Sequence, residues 1–295
     1  MQEKNIMGTK NNAIKGSRDR ELGAPAGPSL EAFKPPQRIT FRVPTRHNPK
    51  IQKIMKRVNS DEELYNLWQV ANVNAVQRLG MSDHGPVHVQ IVTNIALKML
   101  RLLVDHGVQP GLVIHYGLTI EDAEVVVVLA SLFHDLGMSI HRIDHEQYSL
   151  LLARPKVKEI LDGIYDVPTM TILCSEILHA IISHRAGGRP MTLEAGIVRV
   201  ADALDMAEGR TRIPFQAGQV NIHSVSAAAI EQIRIEKGHD KPIRIVVRMN
   251  NSAGVFQLDE LLKDKLEGSG LEAHVEVEAV IEGEAEKKLI HTFKI

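Results

Sequence analysis

Apolar residues recur at helical spacing through the middle of the chain. The stretch DEELYNLWQVANVNAVQRL, from Asp61, opens on acidic residues and repeats apolar positions in three-residue steps, and VHVQIVTNIALKMLRLLVDHG, from Val87, forms a second apolar stripe. A third helix is predicted to begin at Thr119, with acidic residues in its first turn, and to end at Gly137. Thr119 is the predicted N-cap and Gly137 the predicted C-cap. Three further helices are predicted at about residues 146–164, 169–183 and 191–207.

After Arg210 the pattern alternates instead. IEQIRIE and PIRIVVRM alternate apolar and polar residues around KGHDK, and AHVEVEAVIEG and KKLIHTFKI do so around EGEAE, so two hairpins are predicted, with a short amphipathic helix, FQLDELLKDKLEG, between them. The predicted fold class is mainly α: a helical bundle, residues 37–210, with a small C-terminal α+β domain, residues 211–295, which serves as a lid, a dimerisation surface or a regulatory domain. Residues 1–36 lack apolar periodicity and are predicted to be a disordered leader.

The composition indicates in which compartment the protein works and which kinds of partner it is expected to lack. Lys plus Arg (35) and Asp plus Glu (36) nearly balance, so no net field favours nucleic acid or an anionic membrane surface. A single cysteine, Cys174, excludes an internal disulfide and Cys-rich zinc modules and fits a reducing compartment, so a cytoplasmic protein is predicted. No apolar run is expected to approach the roughly 18 residues of a membrane span. The 14 histidines are many, and they cluster between His84 and His184.

The histidine cluster centres on His134 and Asp135. Adjacent helical residues point about 100° apart, so both side chains reach one cation only where the helix end lies against it. His88, in an apolar helix, and Asp202, whose carboxylate would be costly to bury without a cation, are the predicted partners. Taken singly, these residues are typical of a core histidine and a helix-capping aspartate. Together they form a nitrogen and oxygen site suited to Mn²⁺, Fe²⁺, Co²⁺, Ni²⁺ or Mg²⁺.

The order His88, His134-Asp135, Asp202 resembles the H...HD...D signature of the HD superfamily of metal-dependent phosphohydrolases. The segments HVQIV, ASLFHDLG and VRVADALD each resemble blocks of that family, in the expected order. The resemblance implies a helical HD domain, one or two divalent metal ions, and hydrolysis of a phosphoester or phosphoanhydride. A relative that keeps the fold without metal is the alternative.

A second metal ion is implied by two further histidines. Some HD families bind it with two histidines between the HD pair and the last Asp, while the HD aspartate bridges both ions. His145 and His184 resemble these ligands, and the block after His184 resembles that of HD-type dinucleoside tetraphosphate hydrolases. The GYP segment of the HD-GYP phosphodiesterases is missing, which puts cyclic di-GMP cleavage in doubt. His141 and His179 are predicted not to bind metal.

The predicted function is hydrolysis of a small, nucleotide-like phosphorylated substrate by a metal-activated water. Asp135 and His84 are the predicted catalytic residues, with His84 contacting substrate or supporting a metal ligand rather than binding metal. No Gly-rich phosphate-binding loop occurs, so arginines are predicted to bind phosphate: Arg142, Arg185, Arg189, Arg210 and Arg212. A non-catalytic nucleotide sensor and a di-iron HD oxygenase are the alternative functions, and formation of a homo-oligomer is left open.

Overall fold

The structure, a computed structural model, describes residues 38–45, 48–206, 226, 228–281 and 292–294. The chain divides into two units, Met1–Arg38 and Ile39–Ile295, and the helices and strands described here lie in the second. The predicted leader, residues 1–36, and the domain boundary predicted at residue 210 lie outside the described residues. The domain limits therefore stay predictions.

Helices form most of the described chain between Pro49 and Ala203. They are α1 (Pro49–Ser60), α2 (Glu62–Asn72), α3 (Pro86–Asp105), α4 (Gly111–Tyr116), α5 (Ile120–Phe133), α6 (His145–Leu161), α7 (Val167–Ser183) and α8 (Leu193–Ala203). A π-helical turn, Val73–Arg78, continues α2, and a 3₁₀ turn, Leu136–Ser139, follows α5. The mainly helical fold class is confirmed; α1 and α4 are helices that the sequence analysis did not predict.

The central helix of the bundle is α5. All of its residues from Asp122 to Phe133 are buried, and α3, α7 and α8 pack around it. A helix that is apolar on every side is expected in such a position. It begins with a capping box, in which the Thr119 side chain accepts a hydrogen bond from the Asp122 N–H and the Asp122 carboxylate accepts one from the Thr119 N–H.

Gly137 does not cap α5, contrary to the prediction. The helix ends at Phe133, and Gly137 lies in the 3₁₀ turn without a left-handed backbone. The position favours glycine for another reason, because a Cβ there would collide with the main-chain oxygen of His145. Ser149 adds two hydrogen bonds to this contact. Its hydroxyl accepts from the Gly137 N–H (2.8 Å) and donates to the His134 carbonyl (2.6 Å). The start of α6 is thereby fixed against the end of α5.

The length and composition of α3 would be enough to cross a membrane. This differs from the expectation that no apolar run approaches such a length, and the reason is that its polar residues are mostly uncharged. Half of its most apolar window is buried inside the protein, where α3 packs against α5 and α8. A core helix of a globular bundle passes the same test, so the finding is weak evidence for a membrane span.

The C-terminal strands form one mixed sheet. The strands β1 (Ile230–Lys237), β2 (Ile243–Met249), β3 (Val275–Ile281) and β4 (Thr292–Lys294) lie in the order β1-β2-β3-β4. The outer pairs are antiparallel, as the two predicted hairpins require, whereas β2 and β3 are parallel. The connection predicted around EGEAE lies in residues 282–291, outside the described residues. Alternate residues of β2 and β3 are buried, so one face of the sheet joins the core.

Between β2 and β3 runs the C-terminal helical segment, which comprises the consecutive stretches Val255–Gln257, Leu258–Lys263 and Asp264–Leu266. Its end packs on α8 at positions three residues apart. Gly196 allows the main chain at Ser269 to approach, since a Cβ would collide with the Ser269 carbonyl. One turn later Arg199 donates from Nε to the Lys265 carbonyl (3.0 Å). This face of α8 also carries Asp202, so the segment is held beside a predicted metal ligand.

A partly buried ion pair, between Lys50 and Asp122, fixes the start of α5. One oxygen of Asp122 accepts from Lys50 Nζ (2.6 Å) and the Tyr165 hydroxyl (2.7 Å), and the other accepts from the N–H and hydroxyl of Thr119 (3.0 and 2.8 Å). Burial alone would raise the pKa of Asp122, but these hydrogen bonds outweigh it and lower the pKa below its ordinary value.

We expect Asp122→Asn to destabilise the protein by about 1–3 kcal/mol at pH 7, because it removes a charge-assisted bond and part of the capping box. Because the pKa of Asp122 is lowered in the folded protein, its carboxylate stabilises the fold at pH values above the ordinary pKa of an aspartate. This stabilisation is lost as the pH falls through the pKa of the folded state. The stability difference between Asp122→Asn and wild type should therefore shrink below about pH 4. Urea unfolding at pH 7 and pH 3 measures it. Glu121→Gln, which removes an exposed charge from the same turn, is the control. A deficit that is equal at both pH values would contradict the prediction.

Candidate metal centre

Four predicted ligands converge at the junction of α3, α5 and α8. His88 Nε2 and His134 Nε2 lie 3.1 Å apart, and both lie 3.3 Å from Asp135 Oδ2. Asp202 Oδ1 lies 3.5 Å from the first nitrogen and 3.6 Å from the second. We call these four side chains the first cluster. Ligand atoms from three different helices thus face one point.

Two more histidines face the other oxygen of Asp135. His145 Nε2 lies 3.2 Å and His184 Nε2 3.8 Å from Asp135 Oδ1. These three side chains, which we call the second cluster, are buried, and their ligand atoms lie within 4.8 Å of one another. Asp135 therefore belongs to both clusters and presents one carboxylate oxygen to each.

Helix ends bring these side chains together. His134 is the C-cap of α5 and still has a helical backbone (φ −57°, ψ −34°), whereas Asp135 does not (φ −103°, ψ 8°). The change in backbone direction turns two adjacent side chains to the same side, which a continuing helix would not do. His145 is the first residue of α6, and His184 immediately follows the last residue of α7.

Every histidine of the two clusters has its Nδ1 beside an acceptor, which leaves Nε2 facing the site. The acceptors are the Asp205 carboxylate for His88 (2.6 Å), and main-chain carbonyls for the rest: Ser131 for His134 (2.8 Å), Arg142 for His145 (3.0 Å) and Ile181 for His184 (2.5 Å). A proton held on Nδ1 keeps the Nε2 lone pair available, which is the usual arrangement of metal-binding histidines.

The first cluster attracts a positive charge. Burial alone would lower the pKa of His134, but Asp135 and Asp202 outweigh it and raise the pKa to about 9. Burial would raise the pKa of both carboxyls; instead the pKa of Asp135 is held well below its ordinary value by His134, and that of Asp202 by Lys265 and the histidines. In the second cluster, burial and the charge of His134 lower the pKa of His184 to about 3, so this imidazole is neutral.

The donor set fits divalent metal ions. With their Nδ1 atoms donating, His88 and His134 direct their Nε2 atoms at each other across 3.1 Å, so a positive charge, either a proton on His134 or a metal ion, is needed there. Two adjacent ligands at the roughly 2.1 Å bond length of a metal-bound imidazole lie about 3 Å apart, as these nitrogens do. Nitrogen and carboxylate ligands without thiolate favour octahedral first-row metals or Mg²⁺ over thiolate-preferring ions.

The other predicted site residues lie around the clusters or at the surface. The His84 ring is 5.5 Å from the His88 ring and outside both clusters, and Arg142 Nη1 lies 2.9 Å from His145 Nδ1. Arg185 and Arg189 are exposed in the turn after α7. His179 receives a hydrogen bond from the Met191 N–H and His141 is exposed; neither belongs to a cluster. Arg210 and Arg212 lie outside the described residues.

Sequence reasoning missed three residues that support the clusters. Asp205 holds the His88 ring, and Lys265 Nζ lies 3.3 Å from Asp202 Oδ2. Arg199, almost fully buried, donates to the carbonyls of Lys265 and Arg185. A signal existed for Asp205, since a second carboxylate three residues after Asp202 in VRVADALD lies on the same side of the chain. Nothing in the local sequence pointed to Lys265.

The fold and the clusters define a helical protein with a His and Asp centre for divalent metal. The model of the HD domain family matches residues 88–207, from the first predicted ligand to just beyond the last. The uncharacterized protein MJ1020 of Methanocaldococcus jannaschii is 43% identical over 216 residues, which are 73% of this chain and 83% of that protein. No solved structure matches significantly. The chain belongs to the HD domain family, which confirms the resemblance, and this domain is typical of metal-dependent phosphohydrolases.

Proposed function

We propose that the protein is a phosphohydrolase with a two-metal centre, which cleaves a phosphoester or phosphoanhydride of a small nucleotide-like substrate. One observation carries the proposal: the Asp135 carboxylate is shared, with Oδ2 facing the first cluster and Oδ1 facing the second. A carboxylate placed between two sets of imidazoles is suited to hold two cations close together. If Asp135 had only a structural role, burying its carboxylate charge would cost free energy without a bound cation to offset it.

The residues of the two clusters would bind two different metal ions. By their distances to the Asp135 and Asp202 oxygens, His88, His134 and Asp202 would hold one ion and His145 and His184 the other, with Asp135 common to both. Divalent ions held here supply an activated water and neutralise charge on phosphoryl oxygens. The carbonyl and carboxylate acceptors at the Nδ1 atoms keep the imidazoles oriented, so little reorganisation is needed when metal and substrate bind.

No protein nucleophile is needed. Cys174 lies buried in α7, where burial raises the pKa of its thiol and keeps it protonated. A protonated core thiol is a poor nucleophile. Water therefore remains the natural attacking group, and the surrounding charges would serve to position the phosphate.

The test is metal-dependent phosphate release. Purified protein is stripped of metal, reloaded with Mn²⁺, Fe²⁺, Co²⁺, Ni²⁺ or Mg²⁺, and assayed with nucleoside mono- and triphosphates, cyclic dinucleotides and dinucleoside tetraphosphates. We expect turnover of at least one substrate class in the reloaded protein and none in the stripped protein. Asp202→Ala, at the least buried ligand, should lower the rate by at least about 100-fold, since a ligand loss should exceed the 10–100-fold effect of losing a supporting residue.

Retained activity in folded Asp202→Ala would identify a contaminating phosphatase and contradict the assignment. Saturable nucleotide binding by the metal-loaded protein without any product would instead support a nucleotide sensor. Oxygen consumption by the Fe²⁺-loaded protein would support a di-iron oxygenase. Circular dichroism of the variant confirms that the helical fold is kept.

A further inference from the structure

Lys265 reaches the first cluster from the C-terminal helical segment. Its Nζ lies 3.3 Å from Asp202 Oδ2 and donates a hydrogen bond to the His184 carbonyl. The other oxygen of Asp202, Oδ1, faces the two imidazoles of the first cluster. A single carboxylate thus separates the ammonium group from the position of a metal ion.

The backbone of Lys265 is held in place by a buried guanidinium. Arg199 donates from Nε to the Lys265 carbonyl (3.0 Å) and from Nη2 to the Asp264 carbonyl (2.9 Å), while Nη1 donates to the Arg185 carbonyl (2.6 Å). Arg199 is only 2% exposed. Because one rigid planar group joins the helical segment to the turn after His184, the Lys265 side chain starts from a fixed point.

Asp202 and Lys265 are more exposed to solvent than the other three side chains of the first cluster. The side chains of His88 and His134 are 0% exposed and that of Asp135 is 4% exposed, whereas Asp202 is 20% and Lys265 17% exposed. Among these side chains, Asp202 and Lys265 are therefore the ones most accessible to a substrate, and a group that contacts Asp202 lies within reach of the Lys265 ammonium group.

We propose that Lys265 is a substrate-binding residue, which donates to a phosphoryl oxygen of the substrate at the first cluster. The inference deepens the proposed function and rests on it. A lysine ammonium on a flexible stem is a common phosphate ligand, and turning away from Asp202 needs only rotation of the stem. The three predicted phosphate-binding arginines that the structure describes are less suitable here: Arg185 and Arg189 are exposed in the turn, and Arg142 lies beside His145 of the second cluster.

The experiment measures phosphate binding without turnover. Wild type and Lys265→Met are loaded with Mn²⁺, freed of excess metal, and titrated with inorganic phosphate by calorimetry; Mn²⁺ affinity is measured separately. We expect Lys265→Met to weaken phosphate binding about tenfold or more, since a charge-assisted hydrogen bond is lost. Mn²⁺ affinity should stay equal or increase, because a positive charge beside Asp202 is removed. Opposite changes in the two affinities would distinguish substrate binding from structural support.

Lys263→Met is the matched control, since this lysine lies two residues earlier in the same segment and pairs with Asp259 (3.2 Å). It should bind phosphate as wild type does. Lys265→Gln removes the charge but keeps hydrogen-bonding groups. It replaces Lys265→Met if that variant does not fold, and the same loss of phosphate affinity is expected.

Unchanged phosphate affinity in a folded, Mn²⁺-loaded Lys265 variant would overturn the proposal. So would an equal loss of Mn²⁺ and phosphate binding, which would make Lys265 a support for Asp202. Because the titration needs no hydrolysis, failure to find a hydrolysed substrate would leave this result standing, and the two proposals can fail separately.

Discussion

Asp135→Ala is expected to lose both metal ions, whereas the wild-type protein should bind two per chain. Both clusters use this carboxylate, Oδ2 at 3.3 Å from His88 and His134 and Oδ1 at 3.2 Å from His145. Without it, the buried imidazoles lose the negative charge that holds cations beside them. Metal content after dialysis against Mn²⁺ should fall from two ions to none, and phosphate release should fall by at least about 1,000-fold.

Two variants at the histidines of the α7 region test whether the loss of both ions in Asp135→Ala comes from the shared carboxylate or from a general weakening of the site. His184→Ala removes a ligand of the second cluster and should leave one ion. His179→Ala, on the same helix and five residues earlier, should leave two, because its ring contacts the Met191 N–H rather than the carboxylates. If folded Asp135→Ala retains one tightly bound ion, the carboxylate does not serve both clusters.

The converging ligands were predictable because each breaks a local rule. His88 and the His134-Asp135 pair interrupt strongly apolar helices, where an unpaired polar group is costly. Their spacing along the chain fixed only which helix ends had to meet. Sequence periodicity predicted the helices, and the family resemblance implied the order of the ligands and an Asp135 shared by two ions. Which Asp135 oxygen faces which cluster was not predictable, because it depends on the turn of the backbone after α5.

Other features were present in the sequence but overlooked. Asn48 and Pro49 form an N-cap followed by proline at the first helical position, and Ile51, Ile54 and Val58 then recur at helical spacing, so α1 was predictable. Lys265 is a different case. It lies 63 residues beyond Asp202, and only the packing of the C-terminal helical segment on α8 brings the two together.

The second large effect is expected at Asp205, which does not face the metal position. Its Oδ2 lies 2.6 Å from His88 Nδ1, and its side chain is 7% exposed. A carboxylate at this position keeps the proton on Nδ1 and increases the electron density at Nε2. Asp205→Asn keeps the shape and an acceptor oxygen but removes the charge, so Mn²⁺ affinity of the first cluster should fall about 10–100-fold.

Calorimetry with Mn²⁺ should show that the loss is confined to one of the two sites, because His145 and His184 have main-chain carbonyls at Nδ1 and do not depend on Asp205. Asp83→Asn is the matched control: its Oδ1 accepts from the main-chain N–H of His88 (3.1 Å), a bond that an amide oxygen can also accept. Equal weakening of both sites in Asp205→Asn, or an effect of the same size in Asp83→Asn, would show that the charge acts through the fold of the helix and not through the His88 ring.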